Sequence, residues 1–387
     1  MRPAIGWALR ATVPITWPRI PAQATARLSG PAGAVPGMAA GYDEHSLSQQ
    51  QAFSELLLPR LLAEIDARAA ADDLVIADYG CASATTTAVL IERVLERRPR
   101  QRTTIVLQDL PGNDWDVTAA TLARYGDICH RDHVHGKRCV GNRGGGRALH
   151  LTSARGSFHD RVLPTGSVDI AMSSTAFHWL SSTADLPDPG VLVYARSPGA
   201  DSMAVRAWER RARDDWRRVI AHRGTELRPG GVLALTIPAT DVHGRFSYRE
   251  LGPAFEAALA ALPAHRRDRP AGTPPRHCGR PLGFPFPWLG RTKPELVGGF
   301  AQQASPRGLV LRSIAVAQLC NPYHEGGDDD GAGAARYADS VMAWAGRMVD
   351  VLDHDAFRDL LTRELAARWA ALERDYVQAV IVADKPA

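Results

Sequence analysis

Lysine is nearly missing from this chain: Lys137, Lys293 and Lys385 stand within a combined total of 46 basic residues, so arginine carries almost all the positive charge. Set against 42 acidic residues, the formal net charge is only +4. No basic stripe interleaved with aromatics occurs, which speaks against nucleic acid as the main partner. Cysteine is scarce and odd in number, five in all at Cys81, Cys129, Cys139, Cys278 and Cys320. A chain this long needs no covalent staples, so a reducing compartment is expected and the protein is read as cytoplasmic. No apolar run approaches the length that spans a bilayer, and no membrane partner is expected. What is present is ordinary: 387 residues, 45% of them hydrophobic, enough for one large domain with an elaboration or for two domains.

Before Met38 the chain carries Arg2, Arg10, Arg19 and Arg27 and no acid, with repeated Pro, Ala and Gly. The apolar run after Arg2 breaks at Arg10, which makes a poor secretory signal and only a faint likeness to an organelle transit peptide. Residues 1–37 are therefore expected to be a disordered extension or the product of an upstream mis-chosen start, and the folded domain to run from 38 to 387.

From Glu44 to about Asp66 apolar residues recur at helical spacing through Leu47, Phe53, Leu56, Leu57, Leu61 and Ile65, which predicts one long amphipathic helix. Leu74–Ala77 reads as a buried strand ending in the turn Asp78-Tyr79-Gly80-Cys81-Ala82-Ser83-Ala84, and a helix follows from Thr86 to Glu96 with a threonine as N-cap. The alternation continues with a strand at Thr104–Leu107 leading to Asp109, a helix from Trp115 to Tyr125, strands near Leu149–Leu151 and at Val168–Met172, a charged helix from Ala204 to Arg223, and a strand from Val232 to Ile237. Strand and helix repeated in this order predict a doubly wound, mainly parallel α/β sheet. The last third adds helices near Glu295–Gln303 and from Arg336 to Glu373, with strands at Leu309–Ala317 and Tyr376–Val382. Helical cap insertions are expected at roughly 185–225, 240–290 and 322–373.

In such a sheet a ligand sits at the carboxyl ends of the strands, at the switch point. The turn after the first strand has Gly80 but then Cys81, Ala82 and Ser83, not the three glycines that admit a pyrophosphate. A nucleoside without phosphates fits better, with Asp109 able to accept two hydrogen bonds from a ribose diol. S-adenosylmethionine is the common nucleoside of that kind, and Leu227-Arg228-Pro229-Gly230-Gly231 before a late strand agrees with it.

Four segments then resemble, in order, the motifs of the salicylate, benzoate and theobromine (SABATH) methyltransferases, which methylate small carboxylic acids and sometimes ring nitrogens. Tyr42-Asp43-Glu44-His45-Ser46-Leu47-Ser48-Gln49 is similar to Tyr-Ala-x-Asn-Ser-x-x-Gln, and Ile76-Ala77-Asp78-Tyr79-Gly80-Cys81-Ala82-Ser83 to Ile-Ala-Asp-Leu-Gly-Cys-Ser-Ser. Gln108-Asp109-Leu110-Pro111-Gly112-Asn113-Asp114 resembles Asn-Asp-Leu-Pro-Gly-Asn-Asp almost letter for letter. Gly156-Ser157-Phe158, followed by Ser173-Ser174-Thr175-Ala176-Phe177-His178-Trp179-Leu180-Ser181, completes the set.

The resemblance implies a seven-stranded methyltransferase sheet, S-adenosylmethionine as cofactor, a small carboxylic acid as substrate, and a homodimer. It implies that Tyr42, Ser46, Asp78, Gly80, Asp109, Leu110, Ser157, Phe158 and Ser173 serve the cofactor, with Asp109 on the ribose and Phe158 beside the adenine. Gln49 and Trp179 would donate to the substrate carboxylate, with Thr175 and His178 lining the same pocket. Tyr42, Ser46 and Gln49 lie at i, i+4 and i+7 and share one face if the helix starts early enough. Departures are Ala84 for the family's Gly, Thr86 for Asn, His45 for Asn, and Thr175 for an aromatic Tyr, the last removing one wall of the usual aromatic acid pocket.

A carboxylate is ionised at neutral pH, so methyl transfer to it needs no general base, and no residue is assigned as acid or base. His178 is open between a neutral pocket donor and a base for a phenol or ring nitrogen. The alternatives are an N- or O-methyltransferase on a heterocycle or phenol, a nicotinamide-dependent oxidoreductase, and a binding protein that has lost transfer. Cys129, His130, His133, His135 and Cys139 are loosely spaced like zinc ligands, but they flank a basic Gly-rich insertion and are read as a solvated loop, with no metal. Asp328-Asp329-Asp330 is read as an exposed loop.

Overall fold

The computed structural model describes residues 42–68, 71, 73–130, 149–182, 186, 202–241, 250–262, 290–301, 308–324, 330–346, 353–372 and 374–387. The extension at 1–37 lies outside them, as do His133, His135, Cys139 and the acidic loop's Asp328 and Asp329.

The strands form because their residues have two faces to fill. In β1 (Asp73–Tyr79), Leu74 and Ile76 enter one core while Ala77 and Tyr79 enter another on the opposite side. In β2 (Arg102–Asp109), Ile105 and Leu107 take the first side and Val106 the second. Burial on both faces is what parallel strands require, and it explains the continuous apolar runs. β3 (Ile128–His130), β4 (Leu149–Arg155), β5 (Val168–Ser174), β6 (Leu227–Pro238), β7 (Val310–Cys320) and β8 (Asp375–Asp384) complete a sheet of order β3-β4-β2-β1-β5-β6-β8-β7. Every pairing from β3 to β6 is parallel, whereas β8 runs antiparallel to both β6 and β7. The expected doubly wound α/β sheet is present, with one strand more than the expected seven. Three-residue β3 is the short edge strand at the β4 end, pairing Cys129 with Thr152, and Thr152 Oγ1 donates to the Cys129 carbonyl at 2.9 Å.

α3 (Leu58–Ala67) and α4 (Thr85–Arg97) cover the first face through Leu61, Ile65, Leu90 and Val94. α6 (Ser202–Glu226) and α8 (Lys293–Ala301) cover the second through Trp216, Ile220, Leu296 and Phe300. α5 (Trp115–Leu122) starts at Asp114, whose carboxylate accepts the Val117 N–H, and ends sooner than the expected Tyr125 because Tyr125 N–H turns back to the Leu122 carbonyl. A third layer joins α7 (Leu251–Ala261), α9 (Asp330–Ala345) and α10 (His354–Ala367), where Phe255 packs edge-on against Phe357 at 4.9 Å. Trp179 and Tyr42 pack on this layer, so it closes over the carboxyl ends of the strands.

Two local departures matter for the site. The expected single N-terminal helix is broken: α1 (Tyr42–His45) and α2 (Leu47–Ala52) are separated at Ser46, and a π-helical turn at Phe53–Leu57 leads into α3. Two tyrosines from outside meet this segment: the Tyr323 hydroxyl meets the His45 carbonyl, beside the first break, at 2.7 Å, and the Tyr376 hydroxyl donates to the Ser48 carbonyl within α2 at 2.6 Å.

The second departure is at the start of α4, where no threonine caps the helix. Ala84 occupies the N-cap with φ 65° and no side-chain bond. The turn before it needs positive φ at Gly80, Ala82 and Ala84, and two of these are alanines. A left-handed L-residue costs roughly 1–2 kcal/mol, and a glycine there loses roughly 0.4–1 kcal/mol of that to unfolded-chain entropy. Ala84→Gly is therefore expected to stabilise the protein by about 0.5–1 kcal/mol, read as a higher urea midpoint at unchanged slope. A lower midpoint would show that Ala84 carries no strain.

Candidate active site

β1 pairs with β2 on one side and β5 on the other, so the chain reverses its direction of winding between them and opens a crevice at their carboxyl ends. A cavity of about 220 Å³ lies there, roofed by α1 and α2.

Its floor is the turn after β1. Gly80 and Cys81 donate their N–H groups to the Gln108 carbonyl at 2.8 and 3.1 Å, which hooks the turn onto the end of β2. Gly80 has φ 79°, and a Cβ there would collide with the Cβ of Ala176, so only glycine lets the β1 and β5 turns approach this closely. Asp109 closes β2 with one carboxylate oxygen accepting the Ala82 N–H at 2.8 Å and the other accepting the Leu110 N–H at 2.7 Å. Asn113 and Thr118 donate to the Ala82 carbonyl, each at 2.8 Å, and the two turns become one unit.

Burial raises Asp109 to about 6 despite those two backbone donors. Asp78, fully enclosed, is raised to about 7 by burial, opposed by the Thr87 hydroxyl and reinforced by the charge of Asp109.

One wall is the loop after β4, which contributes Ser157, Phe158 and His159. A buried ion pair fixes this loop from behind. Glu226 accepts from Val162 N–H at 2.7 Å, Leu163 N–H at 2.9 Å, the Tyr79 hydroxyl at 2.7 Å and the Arg223 guanidinium at 2.7 and 3.0 Å. Arg223 in turn donates to the Phe158 and Asp160 carbonyls at 2.8 and 2.9 Å and lies 4.1 Å over the Tyr79 ring.

The opposite wall is the turn after β5, with Ser174, Thr175, Ala176, Trp179 and Ser181. Thr175 has φ 55°, an outlier for a β-branched residue. Ser181 is tied down through its N–H and hydroxyl to Asp215 of α6, both at 2.8 Å. The Trp179 ring has tilted contacts with His178, 4.9 Å between centroids, and with Trp344 of the helical layer at 6.4 Å. From the roof come Tyr42, Ser46 and Gln49, with the Gln49 amide oxygen accepting from the Ser48 hydroxyl at 3.0 Å, which leaves its nitrogen as the end to offer a ligand.

The cavity thus gathers Tyr42, Ser46, Gln49, Gly80, Asp109, Leu110, Ser157, Phe158, Thr175 and Trp179, all singled out in the sequence. Three others stand behind its walls. Asp78 accepts the Thr87 hydroxyl, Ser173 Oγ donates to the Tyr79 carbonyl at 2.9 Å, and buried His178 sits near Arg291 and is held well below the ordinary histidine range by burial and that charge. Sequence reasoning missed His159, Asn113 and Ser181 as lining residues, and Arg223, Glu226 and Arg291 as supports. His159 directly follows Gly-Ser-Phe in a turn after a strand, and that position is the signal that would have found it. Among the described residues no lysine or arginine lines the cavity, and its one carboxylate is Asp109. Among them no group of His, Cys, Asp and Glu is arranged to hold a metal, and no helix is long and apolar enough to cross a membrane.

Residues 37–262 match the family described as SAM dependent carboxyl methyltransferase. Curated relatives include a jasmonate O-methyltransferase of Arabidopsis thaliana, 28% identical over 184 residues covering 42% of this chain and 46% of that protein. A probable caffeine synthase 4 of Camellia sinensis is 28% identical over 181 residues, covering the same shares. The chain spans about half the length of the curated relatives it matches. A solved loganic acid methyltransferase with SAH superposes over 91% of this chain and 99% of its own, with TM-score 0.66 at 16% identity, which shows the fold.

Proposed function

We propose the reaction from one premise: the chain belongs to the SAM dependent carboxyl methyltransferase family, and its cavity serves methyl transfer from S-adenosylmethionine to the carboxylate of a small, partly apolar acid. The observation that carries this reading is the composition of the cavity, where Asp109, Gln49 and Trp179 meet with no lysine or arginine among the described residues.

The residues fit the cofactor. Each Asp109 oxygen has one backbone donor and retains a lone pair, which suits a ribose diol. A cavity with a carboxylate and no cation suits a sulfonium nucleoside and opposes a phosphate-bearing one. Tyr42, Ser46, Gly80, Leu110, Ser157 and Phe158 complete that half of the site, while Asp78 and Ser173 act behind it by holding the β1 turn and the β1–β5 contact.

Bound S-adenosylmethionine supplies an electrophilic methyl group on a cationic sulfur. The protein's part is to hold a carboxylate oxygen in line with that methyl, and orientation of this kind contributes roughly 7–11 kcal/mol. Gln49 offers an amide N–H and Trp179 an indole N–H, both neutral donors, so neither competes with the sulfonium for the anion. Exclusion of water by the roof helices strengthens the remaining charge attraction. No side chain needs to accept a proton. His178 lies behind the wall and does not line the cavity, which supports a carboxylate rather than a phenol or ring nitrogen as the nucleophile.

Radiolabelled methyl transfer across a panel of aromatic, indolic and aliphatic acids tests this. Base-labile ester is expected, and Trp179→Ala and Gln49→Ala are each expected to lower kcat/KM roughly 10- to 100-fold, the loss of a hydrogen bond to a charged group, with cofactor affinity unchanged. Tight cofactor binding without transfer to any acid would discard the reading in favour of a binding protein or another nucleophile.

A further inference from the structure

Trp179 sits in a turn that is fastened on both sides of it. Two residues before it, the Phe177 carbonyl accepts from the Arg291 guanidinium at 3.2 Å, and the other arm of that guanidinium donates to the Ala212 carbonyl of α6 at 3.0 Å. Two residues after it, the N–H and the hydroxyl of Ser181 each donate to a different carboxylate oxygen of Asp215 on α6, both at 2.8 Å. Between these points Leu180 is buried against Trp208 and Ala212 of the same helix. Ala212 and Asp215 lie at i and i+3, so the turn is pinned to a single face of α6.

Both anchors are held in turn. Arg291 and Asp215 are buried, at 2% and 1% exposure. The Arg291 carbonyl accepts the Thr240 N–H at 3.1 Å, its backbone bridges Ala239, the residue after β6, and its guanidinium lies 5.7 Å over the Trp216 ring. Burial pulls Arg291 down to about 10, against the charges of Asp215 and Glu295, so it is still a cation at neutral pH. A second buried anchor, Arg223 with Glu226, grows from the same helix and holds the Phe158 loop on the cofactor side. The two anchors share no hydrogen-bond partner among the described residues, and neither Asp215 nor Arg291 bonds the turns that carry Gly80 and Asp109.

We propose that Asp215 and Arg291 are positioning residues for the acid: they set where the Trp179 indole stands, and so govern acid affinity while leaving that of the cofactor alone. This rests on the reading of Trp179 given above. A donor misplaced by about 1 Å can cost roughly 100-fold, so the precision of the turn matters as much as the indole itself. The guanidinium reaches two carbonyls with separate arms, which a lysine cannot do, whereas asparagine in place of Asp215 keeps one of the two acceptor oxygens. Helix α6 thereby serves the two ligands of the reaction through two separate buried anchors.

The test has two readouts. In protein labelled with 5-fluorotryptophan, the fluorine NMR lines of Trp179 and Trp115 are identified by their loss in Trp179→Phe and Trp115→Phe. Arg291→Lys and Asp215→Asn are each expected to move the Trp179 line by more than its width and to leave that of Trp115, on α5, in place. Arg218→Ala removes a neighbour 3.8 Å from Asp215 that holds no residue of the turn, and is expected to move neither. Ser181→Ala, which deletes one bond to Asp215 and disturbs no buried charge, is the mildest variant and is expected to move the Trp179 line less. Calorimetry then measures binding of benzoate, indole-3-acetate and hexanoate to the S-adenosylhomocysteine complex. Affinity for the acids that bind wild type is expected to fall roughly 10- to 100-fold in Arg291→Lys and less in Asp215→Asn, with S-adenosylhomocysteine affinity within about twofold of wild type. An unmoved Trp179 line overturns the proposal, as does an equal loss of affinity for acid and S-adenosylhomocysteine, which would mark a purely structural pair. Acid binding that the variants leave untouched overturns this inference alone, whereas binding of no acid by the wild type overturns the proposed reaction and this inference with it.

Discussion

Glu226→Ala is expected to destabilise the protein by about 3–5 kcal/mol, the usual consequence of stripping one partner from a buried ion pair. Arg223 and Glu226 are fully buried, and the substitution would leave the guanidinium charge without its counterion. It would also orphan the N–H groups of Val162 and Leu163 and the hydroxyl of Tyr79, each of which Glu226 now accepts. Urea denaturation measures the loss, with a midpoint within experimental error of wild type being the result that sinks the argument. The paired replacement Arg223→Met with Glu226→Leu is expected to lose less than Glu226→Ala alone, since it removes the buried charges together. Because Arg223 also holds the Phe158 carbonyl, cofactor affinity should fall in the paired variant even where stability recovers.

The second large effect belongs to Asp109. If its carboxylate holds the ribose diol as proposed, Asp109→Ala removes two hydrogen bonds to a charged acceptor, and S-adenosylmethionine should bind roughly 100- to 1000-fold more weakly. The same residue should respond to pH in a defined direction. Its folded-state value near 6, and that of Asp78 near 7, lie above the ordinary carboxylate range. The stability this contributes to the empty protein is fully present below about pH 4 and is lost as pH rises through 6 and 7. A bound sulfonium favours the ionised carboxylates, so the rise in Tm on adding S-adenosylmethionine should be larger at pH 8 than at pH 5. Asp109→Asn should weaken that trend and leave the empty protein more stable at pH 8 than wild type. A cofactor shift independent of pH in the wild type would remove these carboxylates from the binding event.

Strands β1, β2, β5, β6 and β8 were legible because they are buried on both sides and appear as apolar runs with turn residues between them, whereas three-residue β3 carries too short a pattern to read. Interruptions were not legible either. The spacing from Leu47 to Ile65 is helical throughout, and nothing in it reveals the break at Ser46, beside which the His45 carbonyl is met by the hydroxyl of Tyr323 far along the chain. Arg336–Glu373 reads as helical segments without a marked boundary, and the fold places one of them, α10, from His354, with the Asp353 carboxylate capping it through the Ala356 N–H.

In the site, side chains reached through motifs were found, and those defined by burial were not. Arg223 and Glu226 end a helix rich in charge, where an i, i+3 pair looks like surface decoration until the packing shows both at zero exposure. Asp78 and Ser173 carry the motif's identity but face inward, because side chains alternate along a strand and only its final residues reach the crevice.

The placement of β8 has a consequence for how the protein is made. The ribosome delivers β7 before β8, yet β8 lies between β6 and β7, with Lys385 still exchanging backbone hydrogen bonds with Gly230 and Gly231. Throughout translation of everything after Pro238, the apolar run of β6 therefore keeps an unpaired edge, and β7 on emerging has no neighbour to join. An open edge of that kind invites other nascent chains. The crevice waits as well, since its roof is tied by Tyr323 and Tyr376 and the loop after β4 by Arg223 and Glu226, all of them delivered after β5.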